Sequence, residues 1–86
     1  MAINIKNLKI VEVTWHDSCS DGGWKSLKSS LSGSISTCQS VGYLLQRNRK
    51  QVILIQSRSD TGNLSDQIAI PRTDVVKIIY LKESGV

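Results

Sequence analysis

The run Gln51-Val52-Ile53-Leu54-Ile55-Gln56-Ser57-Arg58 constrains this chain more than any other stretch. Three of its four consecutive apolar residues branch at Cβ, which restricts χ1 and suits a pleated surface. Asn48-Arg49-Lys50 precedes it and Asp60-Thr61-Gly62-Asn63 follows it, and both have the composition of turns. Successive side chains of a strand point to opposite faces. An uninterrupted apolar run is therefore apolar on both, and this strand must be central, with the rest of the chain arranged around it.

The other periodic stretches supply its neighbours. Residues 8–16 alternate, with Val11, Val13 and Trp15 pointing one way and Glu12, Thr14 and His16 the other. Ile3 and Ile5 alternate in a different register, which a bulge or bend near Asn7 reconciles. Residues 37–47 alternate again, with Val41, Tyr43 and Leu45 on one side. Gly42 inside that stretch marks strong bending or a close backbone approach. Residues 67–71 form a strand stopped by Pro71, which cannot donate to a ladder. Arg72-Thr73-Asp74 reads as a turn, at most one turn of 3₁₀ helix, and residues 75–82 as the closing strand. Between the first two strands lies a Ser-rich stretch in which Trp24, Leu27 and Leu31 fall on one face of a short helix. Asp21 is its expected N-cap and Gly33 its stop. The prediction is one all-β domain over residues 1–86. It has five strongly bent antiparallel strands closing into a small barrel, with one short helix after the first strand.

Eighty-six residues without a single Phe limit the core to Ile, Val and Leu, so each of the two Trp needs its own explanation. The net charge of +4 favours an anionic partner. Cys19 and Cys38 make no disulfide framework, although one bridge between them is open. No apolar run approaches the roughly 20 residues that cross a bilayer, and MAINIKNLKI lacks the features of a signal peptide. A cytoplasmic location with reduced thiols and no membrane partner is expected. Two Cys and one His cannot complete a tetrahedral zinc site without outside ligands, and no metal or cofactor is expected.

The chemistry-bearing residues crowd into Val13–Leu27. His16-Asp17-Ser18 holds the residue types of a hydrolase triad at the wrong spacing, because neighbours on a strand cannot converge. A Cys19–His16 thiol–imidazole pair is a second catalytic option, and an exposed strand-end His is the plain alternative. No catalytic residue is assigned, and the chain is expected not to be an enzyme. A ligand cradle fits the loop better. Ser18, Ser20, Gly22 and Gly23 offer free backbone N–H groups, and Trp15 and Trp24 offer faces for stacking a base. Asp17 suits ribose hydroxyls or an exocyclic amine, and Arg72 or Arg58 would meet the phosphate charge. The expected site is Trp15, Asp17, Ser18, Gly23, Trp24 and Arg72. In the structural alternative both Trp plug a small barrel and the Asp and Ser side chains cap turns. Arg47, Arg49 and Lys50, with Arg58 further on, form the nucleic-acid candidate, whose plain alternative is a solvated turn.

A bent strand with Gly, a tight turn, a central β-branched strand, then Ile68-Ala69-Ile70-Pro71, one turn and a closing strand resembles the Sm-like and SH3-like small barrels over residues 37–82. The whole chain also looks like a set of short phage and prophage proteins. The shared elements here are Trp15-His16-Asp17-Ser18, Gly23-Trp24, Ser40-Val41-Gly42-Tyr43 and Ile70-Pro71-Arg72. That resemblance implies a counter-defence role in a host cytoplasm: sequestration of a small anionic nucleotide-type ligand. The alternatives are an Sm-like RNA- or DNA-binding module and an inhibitor that docks on a host enzyme. The amino-terminal strand and the last strand, Lys77-Ile78-Ile79-Tyr80-Leu81-Lys82, are apolar enough to pair between subunits, so a homo-oligomer is expected.

Overall fold

Five antiparallel strands form one open sheet: β1 (Ile10–Ser18), β2 (Ile35–Arg47), β3 (Gln51–Arg58), β4 (Leu64–Pro71) and β5 (Val75–Tyr80). The structure, a computed structural model, describes residues 4–18, 26–27 and 35–82. The strand order is β4-β3-β2-β1-β5, so each strand pairs with the next except β5, which returns to β1. β3 has a neighbour on each side and is an interior strand, as expected. The helix expected around Trp24, Leu27 and Leu31 falls largely outside the described residues, as does Cys19. Among the described residues no helix is long and apolar enough to cross a membrane.

The core joins Val11 and Val13 of β1 to Val52 and Leu54 of β3 and Ile70 of β4. Trp15, Leu44, Val75 and Ile78 pack against its rim, half-buried. Full burial of such an aliphatic side chain contributes about 1.5–3 kcal/mol over exposure. Val11 and Val13 of β1 are inward as the pattern predicts, while Thr14, expected on the opposite face, is buried as well. On β2 the inward positions are Gly42 and Leu44, while Val41 is half exposed. The Val41–Tyr43–Leu45 side of that strand is thus not the one that meets the core.

Gly42 sits opposite Val11 and is buried. A Cβ on it would stand 2.9 Å from the Ile55 carbonyl oxygen and 3.3 Å from Leu54 Cβ. Only a residue without a side chain lets the β2 and β3 backbones approach so closely. Past Gly42 the β2–β3 register slips between Leu44 and Gln46, and the β1–β5 register slips between Thr14 and Trp15. Such irregularities bend strands and increase twist. The effect is visible at the end of β2, where Arg47 Nη1 donates to the Tyr80 hydroxyl on β5 at 3.2 Å although β1 lies between those strands. β4 and β5 remain the two edges, with no ladder joining them among the described residues.

The connections are fixed by local polar chemistry. Ile5–Asn7 make a 3₁₀ turn capped by Asn4, so Ile5 lies in a turn and not in the alternating stretch expected before Asn7, while Ile3 is outside the described residues. Asn4 Oδ1 accepts from Lys6 N at 3.0 Å there. In the β2–β3 hairpin Asn48 Oδ1 accepts from Lys50 N at 2.9 Å and Gln51 N at 3.0 Å. Arg72–Asp74 form the single 3₁₀ turn between β4 and β5, and Arg72 N donates to Lys50 O at 2.9 Å.

Candidate functional site

Of the residues expected to form a cradle, Trp15, Asp17, Ser18 and Arg72 are among the described residues. Trp15 packs against the core, and its Nε1 donates to Ser40 Oγ at 3.0 Å. Asp17 is exposed on β1 opposite Ser36, and Ser18 ends the strand opposite Ile35. His16 is exposed opposite Thr37, on the other face of β1 from Asp17. Gly23 and Trp24 lie outside the described residues. Arg72 heads the 3₁₀ turn that rests against β1 and β3. It is half-buried, and its Nη1 is buried without a hydrogen-bond partner. Trp15 and Arg72 thus share one region of the sheet, because Trp15 pairs with Val75 directly after the turn. Cys38 is a half-buried free thiol opposite Trp15. Among the described residues no group of three or more His, Cys, Asp or Glu is placed to hold a metal ion.

The basic hairpin is also divided. Arg49 and Lys50 are exposed in the turn, and Arg47 reaches Tyr80. Arg58 ends β3, at the opposite end of the strand from that turn. Its Nη1 donates to Ile5 O at 2.6 Å, and its Cζ lies 4.4 Å from the centroid of the Tyr43 ring. One fixed hydrogen bond and one aromatic face hold the guanidinium in place. A guanidinium carries five N–H donors, so most of them remain for a ligand.

Arg58 and Tyr43 form one wall of a groove of about 670 Å³, whose cations are Lys6, Lys9, Arg58 and Lys82 and which, among the described residues, no carboxylate lines. The architecture dictates this gathering. β1 and β5 are antiparallel, and Leu81 N donates to Ile10 O at 2.9 Å. Lys9 just before that pair and Lys82 just after it therefore emerge side by side. The Ile5–Asn7 turn folds back to Arg58 and adds Lys6. Tyr43 faces away from the core because its neighbours Gly42 and Leu44 face inward. Ile10 and Leu81 give the floor apolar surface, and both are exposed.

Four cations around one hollow raise the local positive potential and concentrate anions. Arg58 supplies planar, directional donors, and the lysines supply mobile point charges. With the Tyr43 ring this set can hold phosphate oxygens beside a flat group. Sequence reasoning reached Arg58 but missed Lys6, Lys9, Tyr43 and Lys82, which no local motif connects. In comparisons with protein-family models, curated proteins and solved structures, nothing matches the chain.

Proposed function

We propose that this protein is a non-catalytic binder of a small anionic ligand of the nucleotide type, taken up in the groove of Lys6, Lys9, Tyr43, Arg58 and Lys82. The gathering of four cations around one open groove, with no carboxylate among its described lining residues, carries the reading. The groove suits an anion better than the Trp15–Arg72 end, where the indole N–H is already committed to Ser40. The strand order, the bulged second strand and the 3₁₀ turn before the last strand support the finer fold reading, a small SH3-like or Sm-like barrel. With the resemblance to short phage proteins, the role proposed is sequestration of a nucleotide signal in a host cytoplasm.

Calorimetry against mononucleotides, cyclic dinucleotides and ADP-ribose derivatives tests the proposal. Binding should weaken with salt. The double variant Lys9→Glu/Lys82→Glu should lose about tenfold or more, since each charge-assisted contact is worth roughly 1.5–3 kcal/mol. Silence across the panel from wild-type protein with an intact circular dichroism spectrum refutes it. A steep salt-dependent preference for RNA or DNA would instead favour the exposed Arg49 and Lys50 as the contact surface.

A further inference from the structure

A second hollow, of about 640 Å³, adjoins the first, and Lys6 and Arg58 line both. Its remaining wall is Asn4, Ile5 and the β3–β4 turn from Ser59 to Gly62. Each hollow falls within the range of roughly 300–1,000 Å³ typical of small-molecule sites. Their chemistry differs. Among the described residues the first holds four cations and no carboxylate, whereas the second adds the Asp60 carboxylate and the Asn4 amide to the shared Lys6 and Arg58. The turn that carries Asp60 is braced. Ser59 N donates to Asn63 O at 2.8 Å, Gly62 N to Ser59 O at 3.2 Å, and the Ser59 and Thr61 hydroxyls lie 2.9 Å apart. Asp60 sits between those two hydroxyls in sequence, on a backbone that is already set.

From this change of charge across Arg58 we infer that the ligand is a mononucleotide with two or more phosphates. Its phosphate chain lies in the basic groove and its ribose hydroxyls lie against Asp60. The inference rests on the binding function proposed above and adds the ligand's class and direction. A carboxylate accepts hydrogen bonds from vicinal hydroxyls and repels phosphate. A molecule that spans both hollows must therefore be anionic at one end and rich in donors at the other. A polynucleotide has a phosphate at every unit and would put one beside Asp60. A single phosphate would leave most of the four cations without a partner. A nucleoside di- or triphosphate satisfies both ends, with Arg58 held at the junction by Ile5 O and Tyr43.

The test is calorimetry of the full chain, wild type and Asp60→Asn, against ATP, GTP, AMP, 2′,3′-dideoxy-ATP, inorganic tripolyphosphate and a single-stranded oligonucleotide. ATP and GTP should each bind at least about tenfold tighter than AMP or tripolyphosphate. Asp60→Asn should weaken ATP by roughly five- to tenfold and leave tripolyphosphate unchanged, the mark of a hydrogen bond from the sugar. Dideoxy-ATP on the wild type should show the same loss without any change in the protein. Tripolyphosphate matching ATP, with Asp60→Asn neutral, overturns the inference and leaves the groove as a plain polyanion site. An oligonucleotide that outcompetes ATP overturns it in favour of nucleic acid. Absence of binding by every phosphate compound removes the groove function itself.

Discussion

Gly42→Ala should destabilise this protein, and the size of the effect follows from two distances. The new methyl carbon would lie 2.9 Å from the Ile55 carbonyl oxygen and 3.3 Å from Leu54 Cβ. Neither neighbour is free to withdraw. Ile55 and Leu54 pair with Tyr43 and Leu44 in the β2–β3 ladder, and both side chains are almost wholly buried. Forcing one extra carbon into such a contact costs about 1–3 kcal/mol. Gly42 needs no left-handed backbone, so alanine also restricts the unfolded chain and returns about 0.4–1 kcal/mol. The net expectation is a loss of about 0.5–2 kcal/mol. For a domain of this size, 1 kcal/mol moves Tm by roughly 4–8 °C, so the melting point should fall by about 2–16 °C. Urea unfolding followed by tryptophan fluorescence should show a lower midpoint with an unchanged slope, because the surface exposed on unfolding is the same. Gly62 is the internal contrast. Its φ is +92° and nothing lies within 4 Å of its Cβ position. Gly62→Asn should therefore be tolerated better than Gly62→Ala, since Asn accepts the left-handed region more readily. At Gly42 the same exchange for Asn should be worse than Ala. A Gly42→Ala protein as stable as the wild type would refute the claim that close β2–β3 approach selects glycine there.

Three further outcomes follow from single contacts. Asn48→Ala removes an acceptor for two backbone N–H groups of the hairpin and should cost about 1 kcal/mol, read as a lower urea midpoint. Ser40→Ala leaves the Trp15 indole N–H without its partner. A loss of about 1–2 kcal/mol is expected, and a stability equal to wild type would mean that solvent replaces the hydroxyl. Arg58→Lys keeps the charge but loses the planar fork on Ile5 O and the Tyr43 stack. Hydrogen exchange should then speed up at residues 5–9 and stay unchanged at Ile55 in the core ladder; equal rates at both places would refute the bracing role.

The elements with strong hydrophobic contrast were legible in the sequence. The central strand has the bounds expected of it, 51–58, and the single turn at 72–74 is present. The start of β4 was not legible. That strand begins at Leu64 rather than at residue 67, because it is an edge exposed on nearly every side chain. A strand that buries only Ile70 carries no alternation to read, and Asp66 at φ 56° breaks its pleat. On β2 the more apolar phase misleads. Its inward face is thinned to Gly42 by close packing, so the larger side chains stand on the outer side. The structural and stacking readings of Trp15 are not exclusive: its ring packs against the core with its N–H on Ser40, and the side chain stays half-buried.

The candidate site was hidden for a topological reason. Density of polar residues along a sequence is a poor guide to density in space, and residues 19–25 of the Val13–Leu27 stretch lie outside the described residues. The basic groove is its opposite, with cations at positions 6, 9, 58 and 82 and no two of them adjacent. What joins them is the return of β5 to β1, which brings the beginning and the end of the described chain together. Given that strand order, the pairing of Ile10 with Leu81 sets Lys9, just before β1, beside Lys82, two residues after β5 ends at Tyr80. The apparent run Arg47-Asn48-Arg49-Lys50 separates by the same logic, because the curl of β2 takes Arg47 to Tyr80. Like charges placed side by side by a fold cost stability unless something answers them. An anion between Lys9 and Lys82 would relieve that cost, so ligand binding should raise Tm. The Lys9→Gln/Lys82→Gln protein, which lacks the repulsion, should melt no lower than the unliganded wild type. A double variant that melts well below it would mean the lysines are answered already, and the groove would lose its electrostatic reason to bind.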